Sequence, residues 1–170
     1  MAHSANDPRP IVEVAAALVF HQGRVLITRR AQGTHLAGFW EFPGGKREPG
    51  ESFEACLRRE LKEELDIEVE VGPLWALVRH DYPEIGVEIR FFLSRWTGGQ
   101  PRPLGCSRFK WVARQNLRRH KFPPADAQLL QQLVRARSLW EGPFCPEPLP
   151  SVPLPKSGGR SDSDRSVQPP

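Results

Sequence analysis

The sequence predicts an α/β (α+β) fold, a mixed β-sheet sandwiched between α-helices. Three observations carry this. The run Val14–Phe20 is apolar throughout and suits a buried strand. Between Ser52 and Leu65, apolar residues recur at helical spacing. Three more strand-like stretches follow, and then a second helical segment, so helices are expected on two faces of one sheet.

The elements follow in order. Ile11 to Phe20, rich in Val and Ala, reads as a strand. His21-Gln22-Gly23 is a turn, and Arg24 to Arg30 alternates as the returning strand of a hairpin. Ala31 to Gly38 reads as a loop. Phe39 to Phe42 is a short strand, broken by Pro43-Gly44-Gly45. Ser52 is the expected N-cap of the clearest helix, Glu54 favours its first turn, and Phe53, Cys56, Leu57, Leu61 and Leu65 form its apolar stripe. Strands are expected within Ile67–Arg79, within Val87–Trp96 and near Phe109–Val112. A last helix starts after Pro123-Pro124 and runs through Leu129, Leu130, Leu133 and Val134.

Composition bounds the function. The chain has 170 residues, 39% hydrophobic and 26% charged, enough for one packed core. Residues 1–9 read as a flexible tail, 10–140 as one domain, and 141–170 as a disordered Pro/Ser-rich tail. No apolar run is long enough for a membrane helix, and the N-terminus lacks the pattern of a signal peptide. Cys56, Cys106 and Cys145 form neither a C-x-x-C pair nor a disulfide framework, so a cytoplasmic protein with ordinary thiols is expected. The net charge of +4 fits an anionic substrate, and fits many other proteins as well. The basic run Arg114, Arg118, Arg119, His120 and Lys121 lacks interleaved aromatics, so a solvated face is expected and nucleic acid is not.

Glu60, Glu63 and Glu64 stand at i, i+3 and i+4, which places three carboxylates on one helix face. Like charges there repel, and folding has no need of them. A hard divalent cation would use such a cluster; the alternative is an exposed acidic face neutralised by Arg58, Arg59 and Lys62. Wider spacing decides between them. Gly45, five residues, Glu51, seven residues, then Arg59-Glu60-Leu61-Lys62-Glu63-Glu64 resembles the Nudix box, G-x5-E-x7-R-E-U-x-E-E-x-G-U, where U is apolar. Leu61 and Ile67 fill the U positions. Asp66 replaces the final glycine, at a position that commonly needs a left-handed backbone; Asp tolerates it better than most residues. The segments around Thr34–Lys46 and Phe122–Asp126 are similar to the MutT-like branch, which includes 8-oxo-dGTP diphosphatases and (d)CTP pyrophosphohydrolases.

The resemblance implies a Nudix fold and a Mg²⁺-dependent nucleoside triphosphate pyrophosphohydrolase, with Mn²⁺ as a possible substitute. It implies metal ligands at Glu60, Glu63, Glu64 and the Gly44 carbonyl. Arg59 would orient the carboxylates, and Glu51 would brace the loop–helix junction or join the metal network. Arg30 and His35 match positions contacting phosphate and sugar; the alternative is that both are exposed residues. Glu41, Phe42, Pro43 and Gly44 match the strand lining the nucleotide site, although Phe42 also suits the core. Asp126 takes the base-reading position, or merely favours the start of the last helix. An ionised Asp only accepts hydrogen bonds, which moves weight towards bases presenting N–H groups, such as cytosine. No Asp or Glu lies between Gly99 and Pro124, so the further glutamate of many MutT-like enzymes is absent, with Gly105 at its place. A box glutamate or Glu84 would then activate the water. A Nudix-fold binding module without catalysis is the rival reading, which need not keep the glutamates that this chain keeps. Oligomeric state is not legible.

Overall fold

The structure is a computed structural model and describes residues 10–142. The two expected tails and Cys145 lie essentially outside that range. One mixed sheet forms the centre, with strands in the order β3-β2-β1-β6-β5, β4 added on β1 and β7 on β2. Strand β1 (Ile11–His21) is shared by two antiparallel partners, β4 (Gly44–Lys46) and β2 (Arg24–Arg29), and by one parallel partner, β6 (Gly86–Gly99). Strand β3 (Trp40–Glu41) and β7 (Arg108–Ala113) flank β2, and β5 (Ile67–Asp81) pairs with β6 in a long hairpin.

The apolar run of β1 is explained by burial on both faces. Ala15, Ala17 and Val19 enter one core, together with Leu57, Leu61 and Leu65 of helix α1 (Phe53–Leu65). Ala16, Leu18 and Phe20 enter the other, with Leu129, Leu130 and Leu133 of α2 (Ala127–Arg135) and Trp140 of α3 (Arg137–Glu141). Helices therefore cover both faces, as the pattern predicts. The β1–β2 turn places Gln22 at φ 49° and Gly23 at φ 68°, the left-handed pair that a tight two-residue hairpin requires.

Three local expectations change. Pro43-Gly44-Gly45 reads as a break, yet Gly44–Lys46 forms a strand on β1. Its partner lies some thirty residues earlier, a pairing that local sequence does not reveal. The last helix is split: a 3₁₀ turn spans Pro124–Asp126, and the chain breaks again at Ala136, whose ψ is 68°. The β5–β6 strands extend further than expected, leaving only a short connection between Asp81 and Gly86. No described helix is long and apolar enough to cross a membrane.

Leu61 sits fully buried between α1 and the sheet. Leu61→Ala is expected to lower stability by about 2–5 kcal/mol in urea unfolding, through lost burial and a cavity.

Candidate active site

Helix α1 is fixed at both ends. Ser52 Oγ accepts from the Ala55 N–H at 3.1 Å, and Asp66 caps the other end at φ 57°. Asp66 thus takes the left-handed geometry of the glycine it replaces, and its carboxylate pairs with Lys62 at 2.7 Å. The segment after β6 docks on the same turn. Leu104 and Gly105 donate N–H groups to the Glu64 carbonyl at 2.9 and 3.0 Å, and Arg102 donates to the Leu65 carbonyl at 2.9 Å. These satisfy helix-end carbonyls that lack partners within the helix. A Cβ on Gly105 would stand 3.2 Å from the Glu64 Cα, so the chain packs directly over the glutamate.

Two glycines let β4 fit between β1 and this helix. A Cβ on Gly44 would come within 2.0 Å of the Ala15 carbonyl, and one on Gly45 within 2.2 Å of the Glu60 carboxyl carbon. Any side chain at Gly45 displaces Glu60. The Gly44 N–H faces Glu64 Oε2 at 3.4 Å.

Arg59 organises the remaining carboxylates. Its Nε and Nη2 grip the Glu51 oxygens at 2.9 and 3.0 Å, while Nη1 reaches Glu60 at 2.8 Å and Glu63 at 3.5 Å. Nη2 also donates to the Lys46 carbonyl at 3.2 Å. The hydrogen bonds from Arg59, then the Glu48 N–H, hold the Glu51 carboxyl down to about 2. Glu64 behaves oppositely. Burial, then the charges of Glu41 and Glu60, push it up to about 7, against the Gly44 N–H and the Thr28 hydroxyl.

Glu60, Glu63 and Glu64 line one cavity of about 880 Å³ with Gly44, Gly45, Gly105, Arg30, His35, Glu41, Phe42, Glu84 and Asp126. Its floor is the apolar sheet face of Val12, Val14, Val87, Ile89 and Phe91. Arg30 pairs with Glu41 at 2.5 Å and donates to the His35 carbonyl at 2.6 Å. The His35 and Tyr82 rings meet at 6.1 Å, bringing the loop after β2 to the β5–β6 connection. Phe42 serves both alternatives: it lines the cavity and packs in the core against Phe122 at 5.3 Å. Pro43 does not line the cavity; it is buried, and its carbonyl accepts the Ala17 N–H at 2.8 Å. Glu51 and Arg59 stand behind Glu60 rather than at the wall.

Asp126 is 6% exposed, and its side chain has no ion pair or hydrogen bond among the described residues. Burial, then the charge of Glu41, raise it to about 6. The basic run 114–121 falls on a 3₁₀ turn, Arg114–Arg119, and the segment beyond it. Sequence reasoning passed over Thr28 and Tyr82. Thr28 is a polar residue at an inward strand position, which was a usable signal; Tyr82 reaches the cavity only through the fold.

Comparison with known proteins adds the family. The NUDIX domain model matches residues 14–132. The chain belongs to the Nudix hydrolase family. It is 34% identical over 128 residues to the 8-oxo-dGTP diphosphatase of Haemophilus influenzae, covering 74% of this chain and 93% of that one. It is 30% identical over 128 residues to the CTP pyrophosphohydrolase of Escherichia coli, covering 75% and 95%. The crystal structure of the MutT protein from Methanosarcina mazei shares the fold, with a TM-score of 0.68 at 24% identity over 76% of this chain and 97% of that one. The Nudix resemblance is therefore membership, and this chain is a Nudix pyrophosphohydrolase of the MutT-like type.

Nudix hydrolases generally use divalent metal ions. Among the described residues, no three His, Cys, Asp or Glu side chains close around a point as a finished cage. Glu63 is the outlying member, its side chain 63% exposed. What remains is an open, all-oxygen arrangement with crowded, partly buried carboxylates. That suits a hard cation which keeps waters and shares substrate phosphates.

Asp126 offers a pH test on the metal-free protein. Its folded-state value of about 6 exceeds the ordinary 3.8. Between these values the folded chain holds a proton that the unfolded chain has lost, so its contribution to stability falls as pH rises through the window. Asp126→Asn is expected to gain stability over the wild type at pH 7.5 relative to pH 4, by up to about 3 kcal/mol in urea unfolding with chelator present. Parallel wild-type and variant curves at both pH values would refute the buried, unpaired carboxylate.

Proposed function

We propose that this Nudix hydrolase is a Mg²⁺-dependent nucleoside triphosphate pyrophosphohydrolase. It releases a nucleoside monophosphate and pyrophosphate and clears oxidised nucleotides such as 8-oxo-dGTP from the pool. The observation that carries this is a single cavity with an apolar floor for a base and a glutamate face for phosphates. The buried free thiols Cys56 and Cys106 fit a cytoplasmic setting. A separate nucleic-acid partner is not part of this reading.

In this reading Glu60, Glu63, Glu64 and the Gly44 carbonyl would hold the metal. When bound, the ion supplies charge neutralisation at phosphorus and a bound water of lowered pKa. The chain's own residues do the positioning on which phosphoryl transfer depends. Arg59 keeps Glu51, Glu60 and Glu63 aligned. Arg30 engages phosphate and His35 the sugar, and Asp126 reads the base. A box glutamate takes the proton of the attacking water, with Glu84, which also lines the cavity, as the alternative base.

One observation favours a second reading. Asp126 is buried and unpaired, and an ionised carboxylate only accepts hydrogen bonds. The exocyclic amine of cytosine meets that need, so a (d)CTP or 5-modified pyrimidine nucleotide is the alternative substrate. 8-Oxoguanine meets it through its own N–H groups, or with Asp126 protonated.

Pyrophosphate release from 8-oxo-dGTP, dGTP, dCTP and 5-methyl-dCTP, with Mg²⁺ and with Mn²⁺, separates these. The expected result is Mg²⁺-dependent release with kcat/KM for 8-oxo-dGTP at least tenfold above dGTP. A tenfold lead for a cytidine nucleotide would transfer the assignment to the pyrimidine reading. Release from none of them would leave a nucleotide-binding module without catalysis.

A further inference from the structure

Thr28 lies on β2 with its side chain fully enclosed in protein, 0% exposed. Among the described residues its Oγ1 is the one buried side-chain polar atom without a hydrogen-bond partner. A buried hydroxyl left unpaired weakens a fold, and valine has the same shape without that penalty. Stability therefore gives no reason for threonine at this position.

Its surroundings supply one. β2 contributes Leu26 to the core beneath α1, and Thr28, two residues on, points to the same face. Its cross-strand partner on β3 is Glu41, which lines the cavity together with Glu64, so the Thr28 hydroxyl lies on the side of the Glu64 carboxylate. That carboxylate is otherwise held only weakly: the Gly44 N–H stands at 3.4 Å, at the outer limit of a hydrogen bond. The backbone of Glu64 is well fixed from the opposite side by the Leu104 and Gly105 N–H groups at 2.9 and 3.0 Å. The turn is therefore anchored, while its carboxylate lacks a firm donor. Thr28 is a buried donor whose Oγ1 has no hydrogen-bond partner.

We propose that Thr28 is a positioning residue for Glu64: its hydroxyl donates to one carboxylate oxygen and aims the other into the cavity. That hydrogen bond would hold the Glu64 carboxylate in the one orientation in which it serves as a ligand. This rests on the reading of Glu64 as a metal ligand. Partners of this kind, once removed, typically cost 10–100-fold in metal affinity or activity.

The test uses Thr28→Val, Thr28→Ser and the full chain. Thr28→Val is expected to keep or raise the thermal midpoint while kcat falls 10–100-fold with KM for nucleotide changed less than threefold. Mn²⁺ binding followed by electron paramagnetic resonance, without substrate, is expected to weaken about tenfold. Thr28→Ser, which keeps the hydroxyl, is expected to restore both to within about threefold, even if loss of the methyl lowers the midpoint. Wild-type kcat and Mn²⁺ affinity in Thr28→Val would overturn the proposal. So would a Thr28→Val protein that melts early and whose activity Thr28→Ser fails to restore, since the hydroxyl would then be structural. Glu60→Gln separates the two levels. If it too leaves metal-dependent turnover intact, the metal-site reading fails; if it abolishes turnover while Thr28→Val does not, only the role of Thr28 fails.

Discussion

The site depends on one constraint: a helix carrying like charges must lie against a strand with almost no side chains. Gly44 lets β4 pack on β1 and Gly45 lets it approach α1, since an added Cβ would meet the Ala15 carbonyl at the first and the Glu60 carboxylate at the second. This contact sets where the carboxylates stand relative to the sheet, and so where the cavity begins. Repulsion among the glutamates is partly relieved by Arg59, whose guanidinium spans Glu51, Glu60 and Glu63. Glu64 lies outside that grip, buried and crowded by Glu41 and Glu60. It is the acid with the greatest need of a cation.

Much of this was legible in the sequence because two periodicities coincide on α1. One stripe is apolar and buries Cys56, Leu57, Leu61 and Leu65; the other carries Arg59, Glu60, Glu63 and Glu64. The left-handed backbone at Asp66 was also legible, since Asp66 stands where the motif has a glycine. The illegible features are non-local. Nothing near Pro43 reveals that Gly44–Lys46 pairs with β1, because the partner strand lies earlier in the chain. Nor does local pattern show that Tyr82 crosses to His35, or that Thr28 pairs across the sheet with Glu41. The break at Ala136 has no Gly or Pro to announce it.

The acids of the cavity follow different chemistry. At the helix glutamates negative charge is concentrated, with Glu63 exposed and Glu64 buried, which suits a hydrated cation and phosphates. Glu41 and Asp126 are two further acids of the same cavity, the first half-buried and the second buried. Arg30 compensates Glu41 at 2.5 Å, while Asp126 is left without a counter-charge. An acid in that state discriminates sharply among base edges, since a ligand that fails to offer a donor leaves it unpaired. In the proposed reading specificity and catalysis rest on separate groups in one cavity, with Glu41 acting electrostatically on both Glu64 and Asp126.

The most direct measurement is metal-dependent pyrophosphate release by Glu64→Gln, compared with the wild type at saturating Mg²⁺. Glutamine keeps the size of the side chain and removes its charge. The expected result is a folded protein whose kcat is at least a hundredfold lower, a loss of the size seen when a principal electrostatic group is removed from an active site. Undiminished Mg²⁺-dependent turnover in that variant would contradict the assignment of the helix glutamates as the metal-holding centre.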